Sequence, residues 1–392
     1  MKILAVSYDV PRPDQNSGEL RFFTLLSLLA HQHELHFYSR AQQSTPERDA
    51  ASESLRQLGI CVESGKFEEL LRRTRFDVVF FEFYFVAEEL IDRVRAWQPR
   101  ARIVVDSVDV HFHRLRSKAR LTGLLADHED AETVRKCELG VYNSADMVLT
   151  VSDEDHRILR EERLESDVEI IPNIHEMHPL VSHERSEKLE LIFIGSYMWS
   201  PNVDAMLYFC HEILPILRNM IPQLRLRIVG SSPTDELKAL ASNDVEIVGF
   251  VPETTSYLLS SDISIAPLRF GGGIKGKVGE AQAHGLPVVT TSIGAEGFGF
   301  LVDTDILVGD TPQTFANAIV TLWQDSNLYD LIRKNGWRYI DERYSVQAVS
   351  KILPPIFERI SLCSIKKTLL IHRIKIIFRY YLDEYVLWRF KA

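Results

Sequence analysis

The chain has 392 residues, of which 45% are hydrophobic and 26% are charged, a composition typical of soluble globular proteins. A chain of this length exceeds what one hydrophobic core usually supports, and it predicts two domains. The net charge of -10 argues against general nucleic-acid affinity, so any anionic ligand must be held by a local basic site. No run approaches the roughly 18 uninterrupted apolar residues of a membrane span.

The cysteines and the first residues of the chain both favour a cytoplasmic protein. Four cysteines are scattered without CxxC spacing, at Cys61, Cys137, Cys210 and Cys363. This pattern predicts reduced thiols rather than disulfides or a zinc site. The opening residues MKILAVSYDVPRP contain a short apolar run that Asp9 and Pro11 end, which predicts a strand and not a secretory signal.

Short β-rich runs alternate with helical patterns along the chain. In the first half, the predicted strands cover residues 3–7, 35–39, 77–81, 102–106, 147–151 and 168–171. In the second half, they cover residues 189–194, 224–229, 245–248, 263–266 and 287–290. Apolar runs of this kind, separated by helices, indicate parallel sheets that are covered on both faces.

The series of strands restarts after Pro172-Asn173 and the polar stretch 175–188, and we place a domain boundary there. The predicted units are two Rossmann-like domains, residues 1–172 and 173–360, followed by a tail at residues 361–392. Two open parallel sheets of similar size imply a cleft between them, at the carboxyl ends of their strands.

The tail differs in charge from the rest of the chain, because residues 361–392 contain seven Lys or Arg residues against two acidic residues. Apolar and aromatic residues recur in it at steps of three or four, at Leu370, Ile374, Ile377, Tyr381, Tyr385 and Trp388. This spacing predicts a basic amphipathic helix. Such a helix can lie on an anionic membrane surface, or it can pack on the first domain or on another subunit.

The stretch RFGGGIKGKVGEAQAHGLPVV, residues 269–289, combines bare backbone, positive charge and one carboxylate near a single turn. Gly271, Gly272 and Gly273 follow a predicted strand and leave backbone N–H groups open to an anion. A helix is predicted from residue 276 to residue 284. Its N-terminus favours phosphate through hydrogen bonds and through the helix dipole.

Charged side chains in the same stretch suit a phosphorylated ligand. Arg269, Lys275 and Lys277 supply the positive charge that a diphosphate needs. Glu280, near the same end of the helix, can accept hydrogen bonds from sugar hydroxyls. The alternative is a flexible glycine loop with solvated lysines, because a lone glycine-rich loop is a weak signal.

Two segments of the first half place polar residues at the expected cleft. Gly18 follows the first strand and lets a ligand approach the backbone, although Ser17 can equally make this a plain capped helix start. Arg21, one turn further on, could reach an anionic acceptor or lie on the surface. Asp109 and His111 belong to a dense polar group directly after an apolar strand, which makes them candidates for acid–base chemistry. No histidine shows metal-ligand spacing, so no metal site is predicted.

In this order, these segments resemble family four of the retaining glycosyltransferases, which are nucleotide-sugar-dependent enzymes with the GT-B fold. The donor-site block of the family is similar to APLRFGGGIKGKVGEA and GLPVVTT, residues 266–281 and 285–291. Further similar segments are SYDVPRPDQNSGELR at 7–21, DSVDVHFHR at 106–114, IPNI at 171–174, FIGSYMWSPN at 193–202 and GFV at 249–251. The resemblance covers most of the chain and implies an α/β protein with the GT-B fold.

The resemblance implies roles for individual residues. Glu280 matches the glutamate that binds the nucleotide ribose, and Val251 lies in a loop similar to the one that holds the base. His111 falls where the family places a histidine near the reacting sugar. Gly195 and Asn202 lie in the segment similar to the first loop of the donor domain, where Asn202 lines the donor pocket or fixes the loop.

The chain departs from the family pattern in two places. Gly272 stands where relatives often carry a second glutamate, and the usual Arg–Lys pair is absent from residues 195–202. We infer that Arg269 and Lys275, with Lys277, neutralise the diphosphate instead. Glu296 contacts the donor side of the cleft or is a solvated loop acid.

The resemblance implies a retaining, hexosyltransferase-type enzyme that moves a sugar from a nucleoside-diphosphate sugar to a glycan or lipid-linked acceptor. Front-face attack would need no enzymic nucleophile, and the family typically needs no metal or other cofactor. With the basic tail, the resemblance suggests surface polysaccharide or glycoconjugate synthesis at the inner membrane face. Two alternatives remain, a sugar-nucleotide epimerase with the GT-B fold and a non-catalytic sugar-nucleotide-binding module.

Overall fold

The computed structural model describes residues 1–181 and 187–385, which form two α/β domains and a helical C-terminal region. The first domain contains β1 (Lys2–Ser7), α1 (Ser17–Ala30), β2 (Glu34–Ser39), α2 (Pro46–Gln57), β3 (Cys61–Glu63), α3 (Phe67–Arg73), β4 (Val78–Glu82), α4 (Tyr84–Trp97), β5 (Arg102–Asp106), α5 (His111–Thr122), α6 (Leu125–Ser144), β6 (Met147–Thr150), α7 (Asp153–Glu161) and β7 (Asp167–Ile170). The second contains β8 (Leu189–Ile194), α8 (Ser200–Tyr208), α9 (Leu214–Met220), β9 (Leu224–Val229), α10 (Asp235–Lys238), β10 (Val245–Gly249), α11 (Thr255–Leu259), β11 (Ile263–Ala266), α12 (Gly276–Ala283), β12 (Val288–Thr290), α13 (Ser292–Ala295), β13 (Leu307–Val308), α14 (Pro312–Gln324) and α15 (Ser326–Tyr344). Two further helices, α16 (Val346–Leu362) and α17 (Leu370–Tyr385), follow.

Both sheets are parallel, and their strand orders correspond. The first sheet has the order β3-β2-β1-β4-β5-β6-β7, and the second has the order β10-β9-β8-β11-β12-β13. Every strand predicted from the sequence is present, whereas β3 and β13, with three and two residues, are not predicted by the pattern. The predicted architecture of two Rossmann-like domains with parallel sheets is confirmed.

The strands are buried because helices cover both faces of each sheet. In β1, the side chains from Ile3 to Val6 are completely buried and alternate between two hydrophobic clusters, one on each face. Such burial on both sides explains why the strands have continuous apolar sequences rather than alternating ones. The polar residues that function requires are consequently confined to the loops at the strand ends.

Helix α16 returns from the second domain and completes the core of the first. Its buried residues, which join the same cluster as Ile3 and Phe80, are Val349, Leu353, Ile356, Phe357 and Ile360. The ring of Phe357 meets Phe80 edge-on at a centroid distance of 6.4 Å. The boundary predicted at residue 360 assigns this helix to the second domain, but its apolar side chains lie in the core of the first.

Helix α17 lies on α4 of the first domain. The rings of Tyr380 and Tyr381 meet Trp97 at centroid distances of 5.9 and 6.1 Å. The helical tail that the sequence predicts is therefore present, and one of its faces packs on the protein. Trp388 and the other positions at 386–392 lie outside the described residues. Within the described residues, no helix has the length and apolar character to cross a membrane.

Candidate active site

A cavity of about 580 Å³ lies between the two domains, at the carboxyl ends of both sheets. In the first sheet, successive strands are added in one direction up to the neighbouring pair β1 and β4 and in the opposite direction after it. The same reversal occurs between the neighbouring strands β8 and β11 of the second sheet. The loops that leave these four strands line the cavity, through Asn16, Phe83, Gly195 and Leu268 respectively. Ligands of open α/β sheets bind at such reversal points, so this interdomain cleft is the candidate active site.

The N-terminus of α12 opens into the cleft beside the first domain. A Cβ on Gly276, the first residue of α12, would lie 2.4 Å from the Cβ of Ser17, so only glycine permits this approach. Lys275 precedes the helix as its N-cap but makes no capping hydrogen bond through its side chain. The N–H of Val278 donates to the carbonyl oxygen of Lys275 at 2.8 Å, whereas no side chain caps the N–H groups of Gly276 and Lys277. Together with the helix dipole, these two N–H groups favour an anion.

Lys277 places a cation beside this helix end. Its Nζ lies 2.8 Å from Asn202 Oδ1 and 5.2 Å from the centre of the Phe193 ring. Burial, followed by the nearby charge of Lys275, lowers the pKa of Lys277 to about 8. Lys277 makes no ion pair with any residue that the structure describes, so its charge remains available to an anionic ligand.

Glu280 faces the cleft from the second turn of α12. Its Oε1 accepts a hydrogen bond from Thr254 Oγ1 at 2.6 Å. Burial raises the pKa of Glu280, and the hydrogen bond from Thr254 and the nearby positive charge of Lys277 offset part of that rise. The loop that carries Thr254 also contributes Phe250 and Val251 to the lining of the cleft. This wall therefore offers a hydroxyl-binding carboxylate together with an apolar and aromatic surface.

Lys275, Glu296 and His113 form a polar bridge between the domains. Lys275 Nζ lies 2.8 Å from Glu296 Oε2, and His113 Nε2 lies 3.3 Å from Glu296 Oε1. Burial alone would raise the pKa of Glu296, but the contacts with His113 and Lys275 bring it to about 2. Glu154 completes a group whose ligand atoms lie within 4.8 Å of one another. His113, Glu154 and Glu296 could hold a metal ion, which the spacing of histidines in the sequence does not predict. The positive charge of Lys275 already neutralises the carboxylate of Glu296.

Asp109 and His111 line the cleft from the first domain, and Asp109 lies against Gly273 of the glycine loop. His111 Nδ1 lies 3.2 Å from Asp109 Oδ1, and burial lowers the pKa of His111. Glu138 fixes the start of α5, because its carboxylate accepts hydrogen bonds from the backbone N–H groups of His111 and Phe112 at 3.1 and 3.0 Å. A neutral imidazole held beside a carboxylate can orient a hydroxyl or accept its proton.

Gly272 lies against the first turn of α5. A Cβ at Gly272 would come within 2.8 Å of the Arg114 Cβ and 3.2 Å of the Arg114 backbone nitrogen. A glutamate side chain therefore has no room at this position. At the neighbouring Gly273, a Cβ would lie 2.9 Å from the Cβ of Asp109. The first domain thus supplies a carboxylate where the loop itself carries none.

Two arginines that the sequence places at anion sites are held elsewhere. Arg269 Nε lies 3.0 Å from Asp204 Oδ2, and its guanidinium lies over the ring of Tyr208, outside the lining of the cleft. Arg21 is completely buried, and its Nη2 lies 3.2 Å from Asp106 Oδ1. Each guanidinium already has a carboxylate partner. The expected contacts of Arg269 with a diphosphate and of Arg21 with an acceptor are therefore not available in this arrangement.

The glycine loop, α12 and the loop that carries Phe250, Val251 and Thr254 all fall within one segment that matches a family model. Residues 188–325 match the family model described as glycosyl transferases group 1. This group 1 segment begins at β8 and ends just after α14, so it contains both reversal-point loops of the second sheet. It also contains Lys277 and Glu280.

Similar proteins extend the comparison to most of the chain. A Klebsiella pneumoniae protein, described as an uncharacterized 44.6 kDa protein in the cps region, is 21% identical over 387 residues, which cover 89% of this chain and 97% of that protein. The structure of Anabaena HepE in complex with UDP has a TM-score of 0.66 at 15% identity, over 92% of this chain and 100% of HepE. Sucrose-phosphate synthase from Thermosynechococcus elongatus has a TM-score of 0.66 at 14% identity, over 92% of this chain and 99% of the synthase. These similarities show that the chain has the predicted GT-B fold.

Most of the predicted site residues line the cleft between the two domains: Gly18, Asp109, His111, Gly195, Asn202, Val251, Gly271, Gly272, Lys275, Lys277 and Glu280. Gly273 belongs to the glycine loop but does not line the cleft. Glu296 does not line the cleft either, but it contacts Lys275, which does. Sequence reasoning missed Thr254 and His175, which also line it. The sequence indicates these two residues only through their neighbours, because Thr254 closely follows the GFV segment and His175 directly follows the IPNI segment.

Proposed function

We propose that the chain is a retaining, hexosyltransferase-type glycosyltransferase, which moves a sugar from a nucleoside-diphosphate sugar to a glycan or lipid-linked acceptor. The observation that carries the proposal is the grouping of the α12 N-terminus, Lys277 and Glu280 along one wall of the cleft. Open N–H groups and a cation suit a diphosphate, and the adjacent carboxylate suits ribose hydroxyls. The match of residues 188–325 to glycosyl transferases group 1 supports the same assignment.

The second domain is proposed to hold the donor. In this arrangement, the loop with Phe250 and Val251 receives the base, Glu280 binds the ribose, and the start of α12 binds the diphosphate. HepE has been solved in complex with UDP and with UDP-glucose. A uridine diphosphate sugar is therefore the first donor to test.

Charge on the leaving group sets the main catalytic requirement. Negative charge grows on the diphosphate as the bond to the sugar breaks, so preorganised cations and N–H groups at that position lower the barrier. Lys277 supplies one positive charge, and Lys275 supplies a second that Glu296 balances in part. These groups can neutralise the leaving group, and the proposed mechanism accordingly uses no metal ion or other cofactor.

The acceptor is proposed to enter from the first domain. In front-face attack, the acceptor hydroxyl approaches on the side that the diphosphate leaves, and a diphosphate oxygen takes the hydroxyl proton. This route needs no enzymic nucleophile. Asp109 and His111, which line the cleft on the side of the first domain, orient the hydroxyls of the sugar and the acceptor. Contact between the domains excludes water and so limits hydrolysis of the donor.

A role in surface polysaccharide or glycoconjugate synthesis is part of this proposal. The relative in Klebsiella pneumoniae is described as a protein of the cps region, which supports such a role. The cysteines of this chain are free thiols, which suits the reducing cytoplasm. We therefore propose that the enzyme works at the cytoplasmic face of the membrane.

Incubation with a panel of nucleoside-diphosphate sugars, with and without membrane lipid extract, tests the proposed function. Acceptor-dependent release of nucleotide, with the anomeric configuration of the donor kept in the product, is the expected result. Interconversion of sugars without an acceptor would indicate an epimerase. Binding without turnover under all conditions would indicate a non-catalytic module, and either of these outcomes would overturn the proposal.

A further inference from the structure

Helix α17 exposes an apolar ridge. The ridge consists of Leu370, Ile371, Ile374, Phe378 and Leu382, whose exposed fractions are 66, 64, 55, 66 and 36%. Because an α-helix turns by about 100° per residue, these five positions lie within one arc of about 120°, which also contains the half-buried Tyr381 near its Leu370 edge. A contiguous apolar surface of this kind on a protein marks an interaction site more often than scattered apolar residues do.

The ridge is exposed although the helix itself is anchored. The opposite side of α17 holds the protein through Arg373, whose Nη2 donates to the carbonyl oxygen of Ala96 at 3.2 Å. Tyr380 and Tyr381 pack on Trp97, and the guanidinium of Arg72 lies 5.6 Å from the Trp97 ring centre. On the helical wheel, Arg373 and Tyr380 lie away from the ridge, whereas Tyr381 lies between Leu370 and Ile374 at the edge of the ridge. The described residues therefore cover one side of α17 and reach the edge of the ridge, and the rest of the ridge stays exposed.

Positive charge borders the ridge. Residues 361–382 contain five Lys or Arg residues and no acidic residue. Lys366 and Arg373 are bonded to the first domain, whereas Lys375 and Arg379 are exposed. On the helical wheel, Lys375 and Arg379 follow directly after Leu382 at one edge of the arc. An apolar strip with cations at its edge is complementary to a surface that is apolar inside and anionic outside.

We propose that the ridge of α17 docks on the surface of an anionic lipid bilayer. The apolar side chains lie at the boundary between headgroups and acyl chains, and Lys375 and Arg379 contact lipid phosphates. A second copy of the chain is a poorer occupant, because a two-fold contact through the ridge would bring identical basic edges together. This proposal is independent of the chemistry in the cleft.

Flotation of the full chain with vesicles tests the apolar part. We expect wild type to float with vesicles made of equal parts of phosphatidylglycerol and phosphatidylethanolamine. The ridge variant carries Leu370→Gln, Ile374→Gln and Phe378→Gln, and it should lose at least tenfold in vesicle binding, since each substitution removes apolar contact with the acyl chains. The matched control changes exposed apolar residues of the second domain, with Met220→Gln, Leu259→Gln and Leu331→Gln, and should float like wild type.

A second variant, Lys375→Gln with Arg379→Gln, tests the charge and changes only exposed side chains. Each cation near an anionic surface strengthens binding by about fivefold, so this variant should bind about thirtyfold more weakly. Lys136→Gln with Lys351→Gln, which neutralises two exposed cations elsewhere, is its control. Wild type should bind phosphatidylcholine vesicles far less than the anionic ones. If the ridge variant fails to fold by circular dichroism, this variant decides the question.

Three outcomes would overturn the proposal. Vesicle binding by both variants at the wild-type level would show that the ridge is not the contact. Equal binding to anionic and phosphatidylcholine vesicles would remove the role of lipid charge. Light scattering that detects a wild-type dimer, converted to monomer by the ridge substitutions, would identify a second copy of the chain as the occupant.

Discussion

The ionised carboxylate of Glu280 is expected to favour ligand binding but to lower the stability of the protein without ligand. Burial raises its pKa, so the ionised carboxylate is less favourable in the folded chain than in the unfolded one. This penalty is absent at low pH, where both states are protonated, grows as the pH rises from the unfolded-state pKa to the folded-state pKa, and is constant above it. Glu280→Gln should therefore unfold at the same temperature as wild type or higher at about pH 8. It should bind the donor roughly 10- to 100-fold more weakly, because a hydrogen bond to a charged acceptor contributes about 1.5–3 kcal/mol.

Calorimetric titration with UDP and thermal unfolding measure these two effects separately. Glu236→Gln, which changes an exposed carboxylate of α10, is the matched control and should alter neither. Wild-type UDP affinity in folded Glu280→Gln would contradict the ribose contact.

The lowered pKa of Lys277 leads to a prediction of how donor binding depends on pH. Burial and Lys275 lower the pKa of Lys277 to about 8, and a bound diphosphate favours the charged form, so binding takes up a proton near this pH. Affinity should be constant at lower pH and fall by up to about tenfold per pH unit above the folded-state pKa. An intact nucleotide sugar is the suitable ligand, since the charge of its diphosphate stays constant over this range. Titration calorimetry in buffers of different ionisation enthalpy detects the proton.

Lys277→Met should weaken binding and abolish this pH dependence. Lys351→Met, at an exposed position of α16, should leave both unchanged. An unaltered pH profile in Lys277→Met would show that another group takes up the proton.

The glycine loop and helix α5 fit together only because Gly272 has no side chain. Any Cβ there would meet the Arg114 backbone, which can move only if the first turn of α5 shifts. Gly272→Ala should destabilise the chain by about 1–3 kcal/mol and reduce turnover. Gly272→Glu, which introduces the acid that the family resemblance implies at this position, should reduce turnover further rather than improve it. Chemical denaturation and donor turnover check both, and Gly140→Ala, where a Cβ has no neighbour within 4 Å, is the control. Higher turnover in Gly272→Glu would contradict the observed packing.

Helices and strands could be predicted where a short stretch of sequence is enough to specify them. The predicted strands and the helix after the glycine loop rest on continuous apolar runs and on glycine punctuation, and the structure contains them at nearly the predicted bounds. Strands β3 and β13 are too short to produce a run. The position of α16 could not be predicted either, because an amphipathic pattern shows that one face is buried but not which core receives it.

The sequence predicts the residues of the cleft correctly where the backbone geometry of one segment positions them. It does not predict the position of a side chain that pairs with a residue far away in sequence. The glycines, Lys277 and Glu280 follow from the order strand, loop, helix, which aims this segment at the cleft. Arg269 and Arg21 are paired with Asp204 and Asp106, which lie 65 and 85 positions away in sequence. A local pattern of positive charge does not reveal such partners. It therefore overestimates the number of cations that a ligand can use.

The whole molecule depends on contacts that hold the two domains around the cleft. Glu296 of the second domain contacts His113 of the first and also Lys275, which lines the proposed donor site. The guanidinium of Arg114 lies 5.2 Å from the ring centre of Trp199, which adds a second contact between the domains. The closed arrangement and the charge at the donor site are thus coupled through one carboxylate.

Glu296→Gln is expected to shift the empty protein toward an open arrangement while leaving donor binding intact. The substitution removes a half-buried charge that contacts both domains, and it frees Lys275 to meet a diphosphate. UDP affinity should therefore stay equal or rise, whereas turnover should fall about fivefold for the loss of ~1 kcal/mol from the closed state. Small-angle scattering should show a larger radius of gyration without donor and a wild-type value with it. Glu342→Gln, at an exposed position of α15, should match wild type in all three measurements. Reduced UDP affinity in Glu296→Gln would instead mean that Glu296 supports donor binding directly, and unchanged scattering would mean that the remaining contacts suffice to hold the domains together.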